Sequence, residues 1–265
     1  NQLIKHKINT VVAVNDTRYG PEVAKYLFES IDLKIQYFNL TDFYEKLTGK
    51  VPVTSLERNW FLENFTQKNE QWFAIVKRVI DIFFASLFGL ISLLFIPIIA
   101  ILIKTGSKGP LIYKQKRVGL NGKIFTVYKF RSMVQDAEKS GAQWASKNDA
   151  RVTGIGKFIR KARIDEIPQF WNIVKGNMSF VGPRPERPEF VDQLKEKISF
   201  YNERHLVKPG LSGWAQINFP YGSSVEDALE KLQYDLFYIK NRSIALDISI
   251  ILKTINTVFN ITLGR

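Results

Sequence analysis

The sequence predicts an α+β fold. A mainly helical cytoplasmic domain with short strands carries a helical hairpin that enters one membrane leaflet and returns, and a partial Rossmann-like α/β segment precedes it. Three observations predict this. Residues 79–103 are an apolar run of 25 with one charge, Asp81, and one proline, Pro97. Residues 1–72 open on a β–α–β pattern, and the part after the apolar run alternates short strand-like and helix-like stretches with glycine-rich basic turns.

In the first segment, residues 10–14 are a short β-like apolar run, residues 21–30 have helical spacing, and residues 33–38 are β-like again. This is the order found in the later part of a doubly wound domain. No G-x-G-x-x-G follows the first strand, so no dinucleotide site is expected. A half-domain of this kind is expected to stabilise, dock or regulate, with its missing half upstream of Asn1. The start at Asn1 without methionine or signal-peptide pattern reads as a fragment or a processed chain. Residues 58–73 place Trp60, Phe61, Phe65, Trp72 and Phe73 among polar residues. Two readings stand for them: an interfacial helix leading into a membrane, since tryptophan prefers the headgroup zone, or a linker helix packed on the domain. The division expected is 1–72 for the regulatory segment and linker, and 73–265 for the main domain.

The apolar run is long enough to enter a bilayer, because a spanning helix needs ~20 apolar residues. Both its flanks are basic, with Lys77 and Arg78 before it and Lys104 and Lys108 after it. A single span carries its excess of Lys and Arg on one side only. Pro97 removes a backbone donor and clashes with the preceding turn, so a break is expected near Ile96. A re-entrant hairpin over 79–103 is favoured over an ordinary span, with Lys77, Arg78, Asp81 and Pro97 as its membrane-related residues.

Beyond the hairpin, residues 111–113 and 124–128 look like strands around the turn at Asn121-Gly122, a strong hairpin signal. Residues 157–164 and 188–201 look helical. Residues 223–240 open with Ser223-x-x-Glu226, a capping box. Residues 245–261 space Leu246, Ile250, Ile251, Ile255, Val258 and Phe259 along a helix, with core burial favoured over a membrane surface.

Composition narrows the chemistry. The chain has 265 residues, 38 Lys and Arg against 25 Asp and Glu, and a net charge of +13. Nucleic acid, anionic lipid or phosphorylated small substrates would each explain that balance, and the apolar segment favours the last two. There is no cysteine, which excludes disulfides, thiolate zinc sites and cysteine nucleophiles. With only His6 and His205, histidine metal clusters and acid–base dyads are nearly excluded. Catalysis must rest on carboxylates, lysines, arginines or hydroxyls.

The run Arg160-Lys161-Ala162-Arg163-Ile164-Asp165-Glu166-Ile167-Pro168-Gln169 sets two adjacent carboxylates behind three cations. On a helix, Arg160 and Arg163 share a face at i, i+3, and arginine forks suit phosphate oxygens. A carboxylate beside such cations stays ionised, as a nucleophile or a metal ligand must. Alone, the run reads more readily as solvated ion pairs at a helix end. Its surroundings shift the balance. In residues 177–185, two prolines fix the backbone around Arg184 and Gly182 permits a tight turn. Lys129 and Arg131 close a strand with two more cations, and residues 208–216 (KPGLSGWAQ) add a further constrained loop.

These runs resemble the bacterial sugar transferase family, the monotopic polyprenyl-phosphate phosphoglycosyl transferases. The resemblance rests on KRVIDIFF (77–84), GPLIYKQKRVGLNGKIFTVYKFRSM (109–133), NDARVTGIGKFIRKARIDEIPQFWNIVKGNMSFVGPRP (148–185), VKPGLSGWAQIN (207–218) and YDLFYIKNRSIALDISIILKT (234–254). It runs in continuous order from Lys77 to the C-terminus. The first 72 residues, with LTGKVPVTSL (47–56), resemble the regulatory domain of larger exopolysaccharide-synthesis members, which usually carry four further membrane helices upstream. The family often has Thr where Ser132 stands and Leu where Ile164 stands; neither change removes a functional group.

The resemblance implies a reaction. A nucleotide-activated sugar, a UDP-sugar by analogy, gives its sugar 1-phosphate to polyprenyl (undecaprenyl) phosphate and releases UMP, through a covalent phosphosugar–aspartate enzyme and with Mg2+. It implies Asp165 and Glu166 as the catalytic pair, Asp165 as nucleophile and Glu166 with Asp165 as metal ligands, with Lys129, Arg131, Arg160, Arg163, Gln169 and Arg184 binding substrate. The partners implied are the nucleotide sugar, the lipid phosphate and membrane lipid at the cytoplasmic face of the bacterial inner membrane, with a homo-oligomer left open. The rival readings are a catalytically silent membrane scaffold of glycan assembly and a basic nucleic-acid binder. The first would have lost the acid pair or the arginines, and all are present. The second needs stacking platforms or a recognition helix, whereas the aromatics here cluster near the apolar segment, so no nucleic acid is expected.

Overall fold

The computed structural model describes residues 6, 8–13, 25, 28, 35–65, 71–137, 141, 143–144, 149–220, 222 and 224–263. It divides into two compact units, Asn1–Leu56 and Glu57–Arg265.

In the first unit, β1 (Thr10–Ala13) and β2 (Gln36–Asn39) pair in parallel, Thr10 opposite Gln36 and Ala13 opposite Asn39. A parallel pair is what a β–α–β order requires. The helix expected over 21–30 falls largely outside the described residues, which also carry no third strand of this sheet, so the Rossmann-like layout is not seen. Helix α1 (Leu40–Thr48) follows at once. Asn39 caps it by accepting from the Asp42 amide, and left-handed Gly49 ends it.

The second unit opens on α2 (Arg58–Phe65). Phe61 packs on Phe200 at 4.5 Å between centroids, and the Lys240 ammonium lies 5.1 Å from the Trp60 ring. These contacts fit the packed linker helix for Trp60 and Phe61, whereas Trp72, in the same expected stretch, is 75 % exposed.

Helices α3 (Gln71–Leu93) and α4 (Ile96–Gly106) meet at a bend of 64°. The break falls just before Pro97, which sits in the first turn of α4 where its missing N–H costs nothing. Among the described residues no single helix is long and apolar enough to cross a membrane, although this bent pair passes that test together. Ala85 packs against Val127, Ile173 and Met178, while Ile99 and Ile103 pack against Phe130 and Ile159. The other side is open: Phe83, Leu90, Leu94 and Ile101 are 60–76 % exposed. Large contiguous apolar surface of this kind marks an interaction face.

The two helices flank an antiparallel ribbon, β3 (Ile112–Val118) and β4 (Ile124–Phe130), registered Ile112 to Phe130 and Val118 to Ile124. Asn121 (φ 53°) and Gly122 (φ 74°) turn it, as the Asn-Gly pair predicts, and both strands run longer than the sequence pattern marks. Helix α5 (Gly154–Lys161) is capped by Thr153, and α6 (Gln169–Val174) follows a short turn. A second strand pair, β5 (Ser179–Val181) with β6 (Gly210–Ser212), is parallel. Between them lies α7 (Pro188–Lys197), which stops short of residue 201, and left-handed Phe200 (φ 60°) follows it. Helix α8 (Trp214–Asn218) leads to α9 (Val225–Asn241) and α10 (Ile244–Leu263). The capping box of α9 is Ser224 with Asp227, one position on from the expected pair; Ser223 is outside the described residues. On α10, Ile250 is fully buried while Ile248, Leu252 and Ile255 are exposed, so core burial covers one side only.

Candidate active site

The acid pair sits on its own turn. Helix α5 stops at Lys161 and Arg163 takes a left-handed conformation (φ 57°), which restarts the chain as a single tight turn, Ile164–Glu166. A non-glycine residue held there costs about 1–2 kcal/mol, so the surroundings must enforce it. This corrects the expectation that Arg160 and Arg163 share a helical face. Asp165 and Glu166 are buried at 8 % and 7 % exposure. Glu166 Oε1 accepts from Arg184 Nη2 at 2.8 Å, with Arg163 Nη1 at 3.5 Å and Lys129 Nζ at 3.8 Å. Burial alone would raise the Glu166 pKa, but Arg184, Lys129 and Arg163 outweigh it and hold the group well below the usual range. Asp165 moves the other way. Burial and then the charge of Glu166 raise it, opposed by Lys129, Arg184 and Arg160.

Arg184 reaches the pair from a loop built by close backbone contact. Gly182 N–H donates to Ser212 O at 2.9 Å, and Gly210 N–H donates to Pro183 O at 2.9 Å. A Cβ on Gly182 would stand 2.3 Å from Lys208 O, one on Gly210 2.1 Å from Gly182 N, and one on Gly213 2.2 Å from Gly182 O. The two constrained loops singled out in the sequence are thus one interlocked unit. Beyond Arg184, Arg117 Nη1 donates to Pro185 O at 2.9 Å, and Arg204 Nη2 donates to the Arg184 carbonyl at 3.1 Å. Arg204 is itself fixed by Asp235 at 2.8 Å and by the Tyr201 hydroxyl at 2.7 Å, all buried.

Lys129 and Val127 alternate onto one face of β4. With Arg117, Gln169, Arg184 and Pro185 they line a small cleft that opens to solvent. Burial lowers the Lys129 pKa to about 8, against the pull of Glu166. Gln169 Nε2 is buried with no hydrogen-bond partner. A buried donor without a partner is costly in a finished core, whereas beside a cationic cleft it is available to a ligand oxygen.

The other expected site residues lie elsewhere. Arg160 acts through its charge, favouring ionised Asp165 and Asp149. Arg131 is buried and donates through Nη2 to Ser107 O at 2.7 Å, just past the end of α4, while its Nε and Nη1 are buried with no hydrogen-bond partner among the described residues. Lys77, Arg78 and Asp81 bond inside the fold. Lys77 pairs with Asp247. Arg78 donates to Ile173 O at 2.6 Å and Val174 O at 2.8 Å, and Asp81 accepts from Ser179 Oγ and Phe180 N–H at 3.1 Å each. Pro97 marks the bend between α3 and α4.

Two adjacent carboxylates suit magnesium, which takes one or two carboxylates and completes its shell with phosphate oxygens and water. Among the described residues no group of three His, Cys, Asp or Glu converges, so a dedicated protein cage is not present.

Sequence reasoning missed Arg117, Asn172, Arg204 and Asp235. Asn172 is fully buried and ties α6 to β4, donating to Thr126 O at 2.7 Å and accepting from Tyr128 N–H at 3.1 Å. Arg204 stands four residues before the constrained 208–216 loop, a usable signal, but nothing local marks Asp235 as its partner 31 positions away.

Residues 72–261 match the family model described as bacterial sugar transferase. The chain is 42 % identical over 257 residues to a UDP-N-acetylgalactosamine-undecaprenyl-phosphate N-acetylgalactosaminephosphotransferase from Aeromonas hydrophila, covering 95 % of this chain and 59 % of that one. It is 44 % identical over 185 residues to a UDP-glucose:undecaprenyl-phosphate glucose-1-phosphate transferase from Klebsiella pneumoniae, covering 68 % and 39 %. It is 39 % identical over 198 residues to the exopolysaccharide production protein PSS of Rhizobium leguminosarum bv. phaseoli, covering 72 % and 98 %. The chain thus spans less than two thirds of the length of each of the first two relatives. The model match encloses the acid turn, the Arg184 loop and the bent helix pair together, and on that ground the chain belongs to the bacterial sugar transferase family.

Proposed function

We propose that the chain moves a sugar 1-phosphate from a UDP-sugar to undecaprenyl phosphate at the cytoplasmic face of the bacterial inner membrane, as the first membrane step of exopolysaccharide assembly. The observation that carries this is the ring of cations on a buried acid pair: Arg184, Arg163 and Lys129 all within 4 Å of Glu166 Oε1. Two anionic substrates must meet at one phosphorus, and preorganised cations offset their repulsion without reorganising.

In the first step a carboxylate oxygen of Asp165 attacks the sugar-bearing phosphorus of the donor. The new bond is an acyl phosphate, the bond to the bridging oxygen breaks, and UMP leaves with the electron pair. In the second step a phosphate oxygen of the lipid attacks the same phosphorus and the Asp165 carboxylate departs unchanged. A covalent route splits one hard displacement into two, and lets a soluble and a membrane-bound substrate use one site in turn. Arg184 and Lys129 bind the phosphates, and the free donor of Gln169 orients them. Magnesium held by Asp165 and Glu166 would polarise phosphoryl oxygens.

The bent α3–α4 pair is read as a re-entrant hairpin whose exposed apolar side lies in one leaflet, bringing the site to the lipid headgroup. Residues 1–72 are read as the regulatory segment and linker. The test incubates the purified protein with undecaprenyl phosphate, Mg2+ and a panel of UDP-sugars and follows UMP. Release that depends on both substrates is expected. No release with any donor would favour the silent scaffold.

A further inference from the structure

One turn of α3 touches both arms of the candidate site. The first arm is the acid turn and α6, which continues from it through Ile167 and Pro168. At the far end of that helix the Arg78 guanidinium donates to Ile173 O at 2.6 Å and to Val174 O at 2.8 Å. Those carbonyls are the last two of the helix and carry its negative dipole end, and Ile173 O also accepts from the Gly176 N–H at 2.9 Å. The second arm is β5, which runs through Gly182 and Pro183 into Arg184. Its start is held by Asp81, whose Oδ1 accepts from Ser179 Oγ and Phe180 N–H at 3.1 Å each. Arg78 and Asp81 are three residues apart and so lie on one helical face. The end of β5 also lies beside a group tied to the same helix: Lys77 pairs with Asp247, which accepts the one proton of the Tyr238 hydroxyl at 2.8 Å, and that hydroxyl oxygen stands 3.3 Å from Val181 O.

From these contacts we infer that Arg78 and Asp81 are positioning residues, which set the spacing between the acid pair and Arg184 by clasping the two arms from one turn of α3. Neither touches the acid pair. Ile173 packs with Ala85 of α3, and Met178 lies in the same cluster, so the clasp is seated on a packed base. The bond of Arg184 to Glu166 at 2.8 Å is the distance this spacing controls. The inference rests on the transferase reading for its catalytic consequence, although the geometry stands apart from it.

Asp81→Asn keeps the acceptor oxygen and removes the charge, whereas Asp81→Ala removes both. Arg78→Lys keeps the charge but gives one point of contact where two carbonyls need a fork. Misplacement by about 1 Å costs roughly 10²-fold in rate. In full-length protein in lipid nanodiscs, Asp81→Ala and Arg78→Lys should therefore lower kcat by about that factor with the donor KM within about twofold. Asp81→Asn should stay within about threefold of the unmodified protein on the same scale.

A second measurement needs no activity. The chain has no cysteine, so spin labels can be placed on Trp171→Cys in α6 and Glu189→Cys in α7, both exposed positions. The distance distribution between them should be narrow in the unmodified background and with Asp81→Asn, and should broaden or shift with Asp81→Ala and Arg78→Lys. Unchanged distances would overturn the inference, whether kcat is kept or falls with thermal stability alone. If the unmodified protein releases no UMP from any UDP-sugar, the transferase reading fails, and the distance measurement still decides the clasp.

Discussion

Asp165 and Glu166 are sequence neighbours, and the structure shifts them in opposite senses. Glu166 is locked as an anion by its three cations. Asp165, raised by burial and by its neighbour, is the carboxylate with no cation of its own at bonding distance among the contacts seen here. That division suits one fixed anion and one group that exchanges partners. Asp165→Asn should abolish turnover and leave no phosphosugar on the protein, checked by mass analysis after a donor-only incubation. Label at another residue would sink the assignment. Arg184→Ala should cut turnover by roughly 10²–10³-fold, the scale for losing one preorganised donor, read from UMP release. The acid pair and Arg184 were legible in the sequence because two prolines and a glycine announce a rigid arginine. Arg204 and Asp235 were not, since a buried ion pair between residues distant in sequence leaves no local pattern. His205 supplies a test at this scale. Burial and then the Arg204 charge push it down to about 4 from 6.5. The folded state binds its proton later than the unfolded chain, so the stability it contributes is full above pH 6.5 and is lost as pH falls towards 4, up to about 3 kcal/mol. His205→Gln should flatten that part of the thermal-stability profile.

At the scale of elements, the helix break before Pro97 and the Asn-Gly ribbon were both readable, because proline and glycine act locally. The end of α5 was not. Residues 157–164 keep helical spacing, and only tertiary contacts hold Arg163 left-handed. The basic flank marks Lys77 and Arg78 as membrane-related in the sequence, but both are bonded within the fold, and sequence cannot tell a headgroup from a helix end as the acceptor. If α3 and α4 form a re-entrant hairpin, Val76→Cys and Gly106→Cys should both react with a membrane-impermeant thiol reagent from the same side of inverted vesicles. Labelling from opposite sides would establish a span instead. The interlocked loops make a separate prediction. Gly210→Ala places a methyl 2.1 Å from the Gly182 nitrogen, in backbone that cannot swing aside. It should destabilise by about 1–3 kcal/mol and lower turnover, whereas Gly154→Ala, whose Cβ meets nothing within 4 Å, should do neither.

For the whole molecule, the family match at 72–261 lies inside the second unit, Glu57–Arg265. A fragment of residues 57–265 should fold and keep transferase activity. One of 72–265 should be less stable, because it loses the Phe61–Phe200 contact and the Trp60–Lys240 pair. Melting temperatures of the two fragments decide this. The interlocked loops also order events during synthesis. Arg184 has no fixed place until residues 208–213 arrive to close on Gly182, about 100 residues after the end of α4. At roughly 5–20 residues per second, the bent apolar pair leaves the ribosome on the order of 5–20 s before that loop exists. An apolar nascent segment is therefore exposed while the candidate site is still unassembled, and if α3 and α4 form a re-entrant hairpin, its insertion precedes catalytic competence in the life of each molecule.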